Sequence, residues 1–273
     1  MPKLLELFCG TKSVGKIAKE RNWDTISIDI LAKFEPTVCV DILTWNYKQY
    51  PRGYFDFVWA SPPCTEFSPA KTVGVRDIEG ATQLVKKALE IIKYFKPKHF
   101  CIENPMGLLR HQECMKEYEP YRKTISYCKY GFPYRKNTDL WTNIPFTPLR
   151  CLKDNYCAFI NAEGRHPQCV QSGYGRRKDG TRQPGTPIAG DRYALPPLLV
   201  KAIFDAISTE IVVAKNYSAN FFSSYIVQSK WLIPATCLFS SAVCLVFTPT
   251  FSKLCHKIPI QQLLERLYPA NCL

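Results

Sequence analysis

Short apolar runs alternate with stretches of helical periodicity over the first 140 residues. KLLELF (3–8) reads as a strand, KSVGKIAKE (12–20) as the helix after it, DTISIDI (24–30) and TVCV (37–40) as the next two strands. YFDFVWA (54–60) is a fourth strand, ATQLVKKALEIIKYF (81–95) an amphipathic helix and KHFCIE (98–103) a fifth strand. Repeating strand–helix units of this size predict a parallel sheet covered by helices. YRKTISYCKY (121–130) and TDLWTN (138–143), joined by GFPYRKN, break the alternation and predict an antiparallel hairpin at one sheet edge. From 144 to 190 the pattern dissolves into Pro, Gly, Arg and Cys. RYALPPLLVKAIFDAI (192–207) then restores a helix, with its prolines at the first turn, where a missing N–H costs nothing.

The chain therefore divides into a core over 1–143, a basic insert over 144–190, a helix over 191–211 that returns to the core, and a tail over 212–273. The tail contains WLIPATCLFSSAVCLVFTPTF (231–251), uncharged and long enough to span a bilayer, but broken by Pro234 and Pro249 and diluted by Ser and Thr. A buried strand pair or a poorly folded extension explains it equally well, and a membrane is not the expected partner, although this run would allow one.

Two features at strand ends point to chemistry. The run 54–60 stops at Ser61-Pro62-Pro63-Cys64, where two prolines end any ladder. Cys64 is thus expected in a stiff turn at the carboxyl end of a strand, where open α/β sheets place their sites. LELFCGTKSVG (5–15) runs from a strand through a turn containing Gly10 into a helix, without a full G-x-G-x-x-G. Glu6, Asp29 and Asp41 fall at three successive strand ends and would face one crevice. Carboxylates there suit ribose hydroxyls, a sulfonium and an ammonium, and repel a pyrophosphate. They favour S-adenosylmethionine over NAD, although Asp29 and Asp41 could also simply cap turns.

Charge narrows the choice of partner. The net charge is +13, of which residues 121–190 carry +8 and 212–273 carry +4. A nearly neutral core with a concentrated basic region points to a polyanion, nucleic acid above all. GYGRRKDGTRQPG (173–185), with Arg176, Arg177, Lys178 and Arg182, suits a phosphate backbone. The 13 cysteines are an odd number, and MPKLLELF enters a strand with no secretory signal, so an intracellular protein with reduced thiols is expected. Cys39, Cys101, Cys114 and Cys128 read as such core thiols. Cys151, Cys157, His166 and Cys169 form C-x5-C-x8-H-x2-C inside the insert, a donor set suited to structural zinc or to unpaired thiols.

LFCG (7–10), SPPCTEFS (61–68), IENP (102–105) and RYALPPLLVKAI (192–203), in that order, resemble the cytosine-5 DNA methyltransferases, above all the compact type of phages and large DNA viruses. The resemblance covers residues 3–208. It implies a Rossmann-like S-adenosylmethionine-dependent methyltransferase sheet with a small irregular target-recognition insert. It also implies double-stranded DNA as partner and S-adenosylmethionine as methyl donor. By it, Cys64 is the nucleophile at carbon 6 of cytosine, held in an exposed, electropositive turn. Glu103 is the acid at ring nitrogen 3, oriented by Asn104 and Pro105, and Arg135 contacts the base. Phe8 packs on the adenine, Asp29 binds the ribose, Asp41 and Ile42 meet the adenine edge, and Pro62 joins Glu6 and Gly10 around the cofactor. Two departures stand out: the turn reads GTKS without a glycine cluster, and LPPLLV replaces a segment that carries Asn-Ser in many relatives. The same chemistry on tRNA and a catalytically inactive nucleic-acid-binding protein are the alternative readings.

Overall fold

A computed structural model of the chain describes residues 1–152, 157–161, 166, 168 and 193–209. Contacts divide the chain into Met1–Val213 and Ala214–Leu273, and the second unit lies wholly outside the described residues. The apolar run 231–251 and the basic residues Arg176, Arg177, Lys178 and Arg182 lie outside them too, as does Cys169.

Seven strands form one sheet: β1 (Lys3–Leu7), β2 (Asp24–Asp29), β3 (Val38–Cys39), β4 (Phe57–Ala60), β5 (His99–Pro105), β6 (Arg122–Ser126) and β7 (Asn137–Thr142). Their order is β3-β2-β1-β4-β5-β7-β6. The first five pair in parallel, while β7 runs antiparallel between β5 and β6. The expected hairpin is therefore present, with its second strand inserted and its first strand outermost. The order reverses between β1 and β4, so the carboxyl ends of these strands open a crevice, the position at which doubly wound sheets hold ligands.

Alternation along the buried strands supplies both faces. Leu5, Leu7, Val58, Ala60 and Ile102 pack under helix α2 (Ile78–Phe95). Leu4, Phe57, Trp59, Cys101 and Leu140 pack with helix α1 (Ser13–Glu20) and helix α3 (197–209) on the other face. Helix α2 starts three residues before its apolar periodicity does, because the Asp77 carboxylate accepts from the Gly80 N–H at 2.8 Å and caps it. In α3, Leu199, Val200, Ile203, Phe204 and Ile207 join Val14, Ile17 and Ala18 of α1, and Arg21 pairs with Asp205. The Leu195 N–H donates to Ser13 Oγ at 3.1 Å, so the chain re-enters the core beside the β1–α1 turn.

Candidate active site

The β1–α1 turn is built around a buried carboxylate. Glu6 accepts from the N–H groups of Val14 and Gly15 at 3.1 and 3.0 Å, capping α1 from the sheet below. Burial nevertheless pushes its carboxyl up to about 7. A Cβ on Gly15 would lie 2.6 Å from Glu6 Oε2, so this helix position must be glycine for the cap to close. Lys12, at the N-cap, takes a left-handed conformation at φ 56° without a glycine cluster. Phe8 shares that conformation at φ 56°, a strained choice for a bulky residue at a ligand-facing turn.

Asp29, at the end of β2, accepts from Gly10 N–H and Leu31 N–H, each at 2.9 Å. Asp41 Oδ1 accepts from Leu43 N–H at 2.9 Å. Both acids thus close Asx-type turns, and both also line a single cleft of about 540 Å³. Glu6, Phe8, Gly10, Asp29, Asp41, Ile42 and Pro62 all reach that cleft, and so do Cys64 and Glu103. Glu6 differs from the expectation in one respect: it is buried with both oxygens on helix amides, so it shapes the turn, whereas Asp29 and Asp41 remain partly exposed in the cleft. The donor set fits S-adenosylmethionine. Asp29 and Asp41 offer acceptors to hydroxyl or ammonium groups, Phe8, Ile28 and Ile42 offer apolar lining, and the volume is that of an ordinary small-molecule pocket.

Across the cleft, the loop after β4 is fastened from behind. Phe67 N–H and Ser68 N–H both donate to the Cys64 carbonyl, at 3.1 and 2.8 Å, and Leu108 N–H donates to the Phe67 carbonyl at 2.8 Å. A Cβ on Gly107 would sit 2.3 Å from that same Phe67 carbonyl, so only glycine lets the two loops meet. Asn104 Nδ2 donates to the Pro62 carbonyl at 3.0 Å. The role expected of Asn104, orienting Glu103, is replaced by a tie between β5 and the cysteine loop. Farther out, Arg76 donates to the carbonyls of Glu66, Ser68 and Lys71, closing the loop into a ring.

Glu103 is buried at 6% exposure, and Tyr127 donates its hydroxyl to Oε1 at 3.1 Å. Burial, with the Glu103 charge beside it, holds the Tyr127 hydroxyl well above its ordinary range, which keeps it a donor. Lys136 Nζ lies 4.0 Å from Glu103 Oε1 and 3.4 Å from the Tyr127 oxygen. Cys64 is half-buried, and its thiol is pushed up chiefly by that burial, with Lys136 pulling it down and Glu103 pushing it up. The expected exposed, electropositive thiolate is thus a partly shielded thiol with one cation beside it.

Arg135 does not line the cleft; its Nε donates to Asn137 Oδ1 at 3.3 Å, and the adjacent Lys136 lines the cleft instead. Strand parity explains the exchange. Cys101, Glu103 and Pro105 pair with Thr142, Leu140 and Thr138 across the β5–β7 ladder, and paired residues share a face. Lys136 continues the parity of Thr138 and Leu140, whereas Arg135 continues that of Asn137. Tyr127 and Lys136 are the functional candidates that motif reading missed; the even spacing 136, 138, 140 was the available signal for the lysine. Tyr193 and Leu195, from the stretch that leads into α3, complete the cleft wall.

The sequence model of the family described as C-5 cytosine-specific DNA methylase matches residues 5–134. A Frog virus 3 protein named "Probable DNA (cytosine-5)-methyltransferase" is 33% identical over 224 residues, covering 74% of this chain and 99% of that protein. Among solved structures, the Dnmt2 methyltransferase of S. pombe is 16% identical with a TM-score of 0.37, covering 56% of this chain and 52% of that one. A SAM-dependent methyltransferase from Archaeoglobus fulgidus is 18% identical with a TM-score of 0.28, covering 38% and 45%. The chain thus spans about half the length of these two solved proteins. Through its match to the family and its end-to-end likeness to the viral protein, the chain belongs to the C-5 cytosine-specific DNA methylase family.

Proposed function

We propose that this protein transfers a methyl group from S-adenosylmethionine to carbon 5 of a cytosine in double-stranded DNA, inside the cell, through a covalent adduct at Cys64. The observation that carries the reading is the meeting of Cys64 and Glu103 in the same cleft as Asp29 and Asp41. Carbon 5 of cytosine is too weak a nucleophile to attack a methyl sulfonium directly. Addition of the Cys64 sulfur at carbon 6 turns the ring into an enamine whose carbon 5 can attack. Glu103 meets ring nitrogen 3 and shares its proton there as the thiolate adds; Tyr127 fixes the carboxyl group in that direction. The cofactor, when bound, supplies an electrophilic methyl group at the Asp29–Asp41 side. Loss of the carbon 5 proton to water then expels the sulfur as thiolate, and ring nitrogen 3 returns its proton to Glu103, which restores the ring. The target base must leave the helical stack to reach Cys64, and the basic insert is the part of the chain suited to holding the opened duplex.

The test is to incubate the protein with methyl-labelled cofactor and, in parallel, duplex DNA or tRNA, and to digest each product to nucleosides. Label in 5-methyldeoxycytidine supports the reading; label confined to tRNA, or at an exocyclic nitrogen, contradicts it.

Lys136 gives this reading a pH signature. Because the Cys64 thiol lies above its ordinary range, only a minority is thiolate near neutral pH, so kcat/KM should rise with pH. Lys136→Met removes the neighbouring cation that pulls the thiol down. The rise should then move to higher pH, so that kcat/KM near neutral pH falls. Lys136→Arg should retain the wild-type profile. An unchanged profile in Lys136→Met would remove the lysine from the activation of Cys64.

A further inference from the structure

Outside the cleft, one side-chain cluster remains unexplained by methyl transfer. Cys128, Cys151 and Cys157 are buried and free of disulfides, and with His166 they bring four ligand atoms within 4.8 Å of one another. Cys157 Sγ lies 3.3 Å and Cys151 Sγ 3.8 Å from His166 Nε2. We propose that these four side chains bind a structural zinc ion, and that the ion fastens the start of the basic insert to the β6–β7 hairpin.

The distances fit the metal. Tetrahedral zinc with Zn–S near ~2.3 Å and Zn–N near ~2.05 Å has ligand–ligand edges of roughly 3.5–3.8 Å. The two sulfur–nitrogen distances lie just below and at the top of that range, and the other pairs, within 4.8 Å, need at most about 1 Å of contraction. Three thiolates and one neutral imidazole form a closed set with no open position, the mark of a structural rather than a catalytic site. Binding releases the thiol protons to solvent and changes no oxidation state.

The surroundings are built for fixed ligands. Cys151 N–H donates to Ser126 Oγ at 3.0 Å, and Ser126 Oγ donates to Asn137 Oδ1 at 2.7 Å, so the cysteine backbone is held by both hairpin strands. Leu149 is clamped likewise, its N–H donating to the Tyr130 hydroxyl and its carbonyl accepting from Ser126 N–H, both at 3.0 Å. Cys157 opens a turn closed by Ile160 N–H at 3.1 Å, and Phe159 and Ile160 pack against the three sulfurs. Among the described residues of this segment, Phe159 and Ile160 supply the apolar packing against the cysteines, and metal binding supplies folding energy where a core is this small. Cys128 directly follows Tyr127, whose hydroxyl reaches Glu103. The ion would thus tie the insert to the segment that orients the catalytic carboxyl group.

Cys169, of the sequence motif, lies outside the described residues, and the proposed set takes Cys128 of the hairpin as its fourth ligand. The set is independent of the methyltransferase reading and is testable without activity. The full chain, purified under reducing conditions, should carry one equivalent of zinc by elemental analysis. Cobalt replacing it should show thiolate charge-transfer bands and the visible bands of a tetrahedral site. Cys128→Ser and His166→Ala should lose the metal, whereas Cys169→Ser should keep it. His166→Cys, which preserves a closed four-ligand set, should also keep it, separating loss of a ligand from loss of folding. Absence of stoichiometric zinc with no tetrahedral cobalt spectrum would overturn the proposal. Metal retained in Cys128→Ser but lost in Cys169→Ser would overturn this ligand set.

Discussion

Cys64→Ser is expected to abolish methyl transfer while leaving the fold and DNA binding intact. A serine hydroxyl is ionised at neutral pH far less than even a thiol raised by burial, and the enamine route depends on an anion adding to carbon 6. Little else depends on the side chain. The loop is held by backbone bonds from Phe67 and Ser68 to the Cys64 carbonyl and by Asn104 on Pro62, none of which involves the sulfur. Methyl transfer under single-turnover conditions, beside a melting curve and a DNA-binding isotherm, reads all three. Substantial residual turnover would mean that sulfur is not the nucleophile, and a collapsed melting transition would mean that the residue serves the fold.

Glu103→Gln should lower turnover by about 10²–10⁴, the range for losing a positioned acid. The amide is nearly isosteric, and its carbonyl oxygen can still accept from Tyr127 at the place where Oε1 now does. What it cannot do is pass a proton to ring nitrogen 3 as sulfur adds at carbon 6. The loss should therefore fall on kcat, with DNA affinity little changed. Tyr127→Phe should show a smaller loss of the same kind, since it removes only the bond that aims the carboxyl group. An unchanged rate in Glu103→Gln would transfer the role to another donor.

The elements that position this chemistry were legible because buried parallel strands are written as nearly continuous apolar runs. YFDFVWA and KHFCIE could hardly be surface segments, and the prolines after Trp59-Ala60 fixed where the cysteine loop begins. The early start of α2 was not visible in its apolar spacing, because one Asp77 hydrogen bond sets it. The acids at strand ends were legible as a group, but their division of labour was not. Glu6 reaches the α1 amides only because Gly15 leaves room, a fact of packing rather than of motif. Arg135 was chosen by its place in the family resemblance, and strand parity against Glu103 favours its neighbour Lys136. Cys128 and Tyr127 were hidden for a related reason. Glu103 lies 24 residues from Tyr127 and the nearest thiol of the insert 23 from Cys128, and nothing local says that a Cys in the turn after β6 will face those thiols.

The most direct test of the account is a covalent trap. Duplex DNA carrying 5-fluorocytosine, incubated with the protein and labelled S-adenosylmethionine, leaves no carbon 5 proton to remove, so the adduct cannot resolve. The account predicts a labelled protein–DNA complex that survives denaturation and disappears in Cys64→Ala. No complex on DNA with the intact protein, or a complex that persists without Cys64, would contradict it.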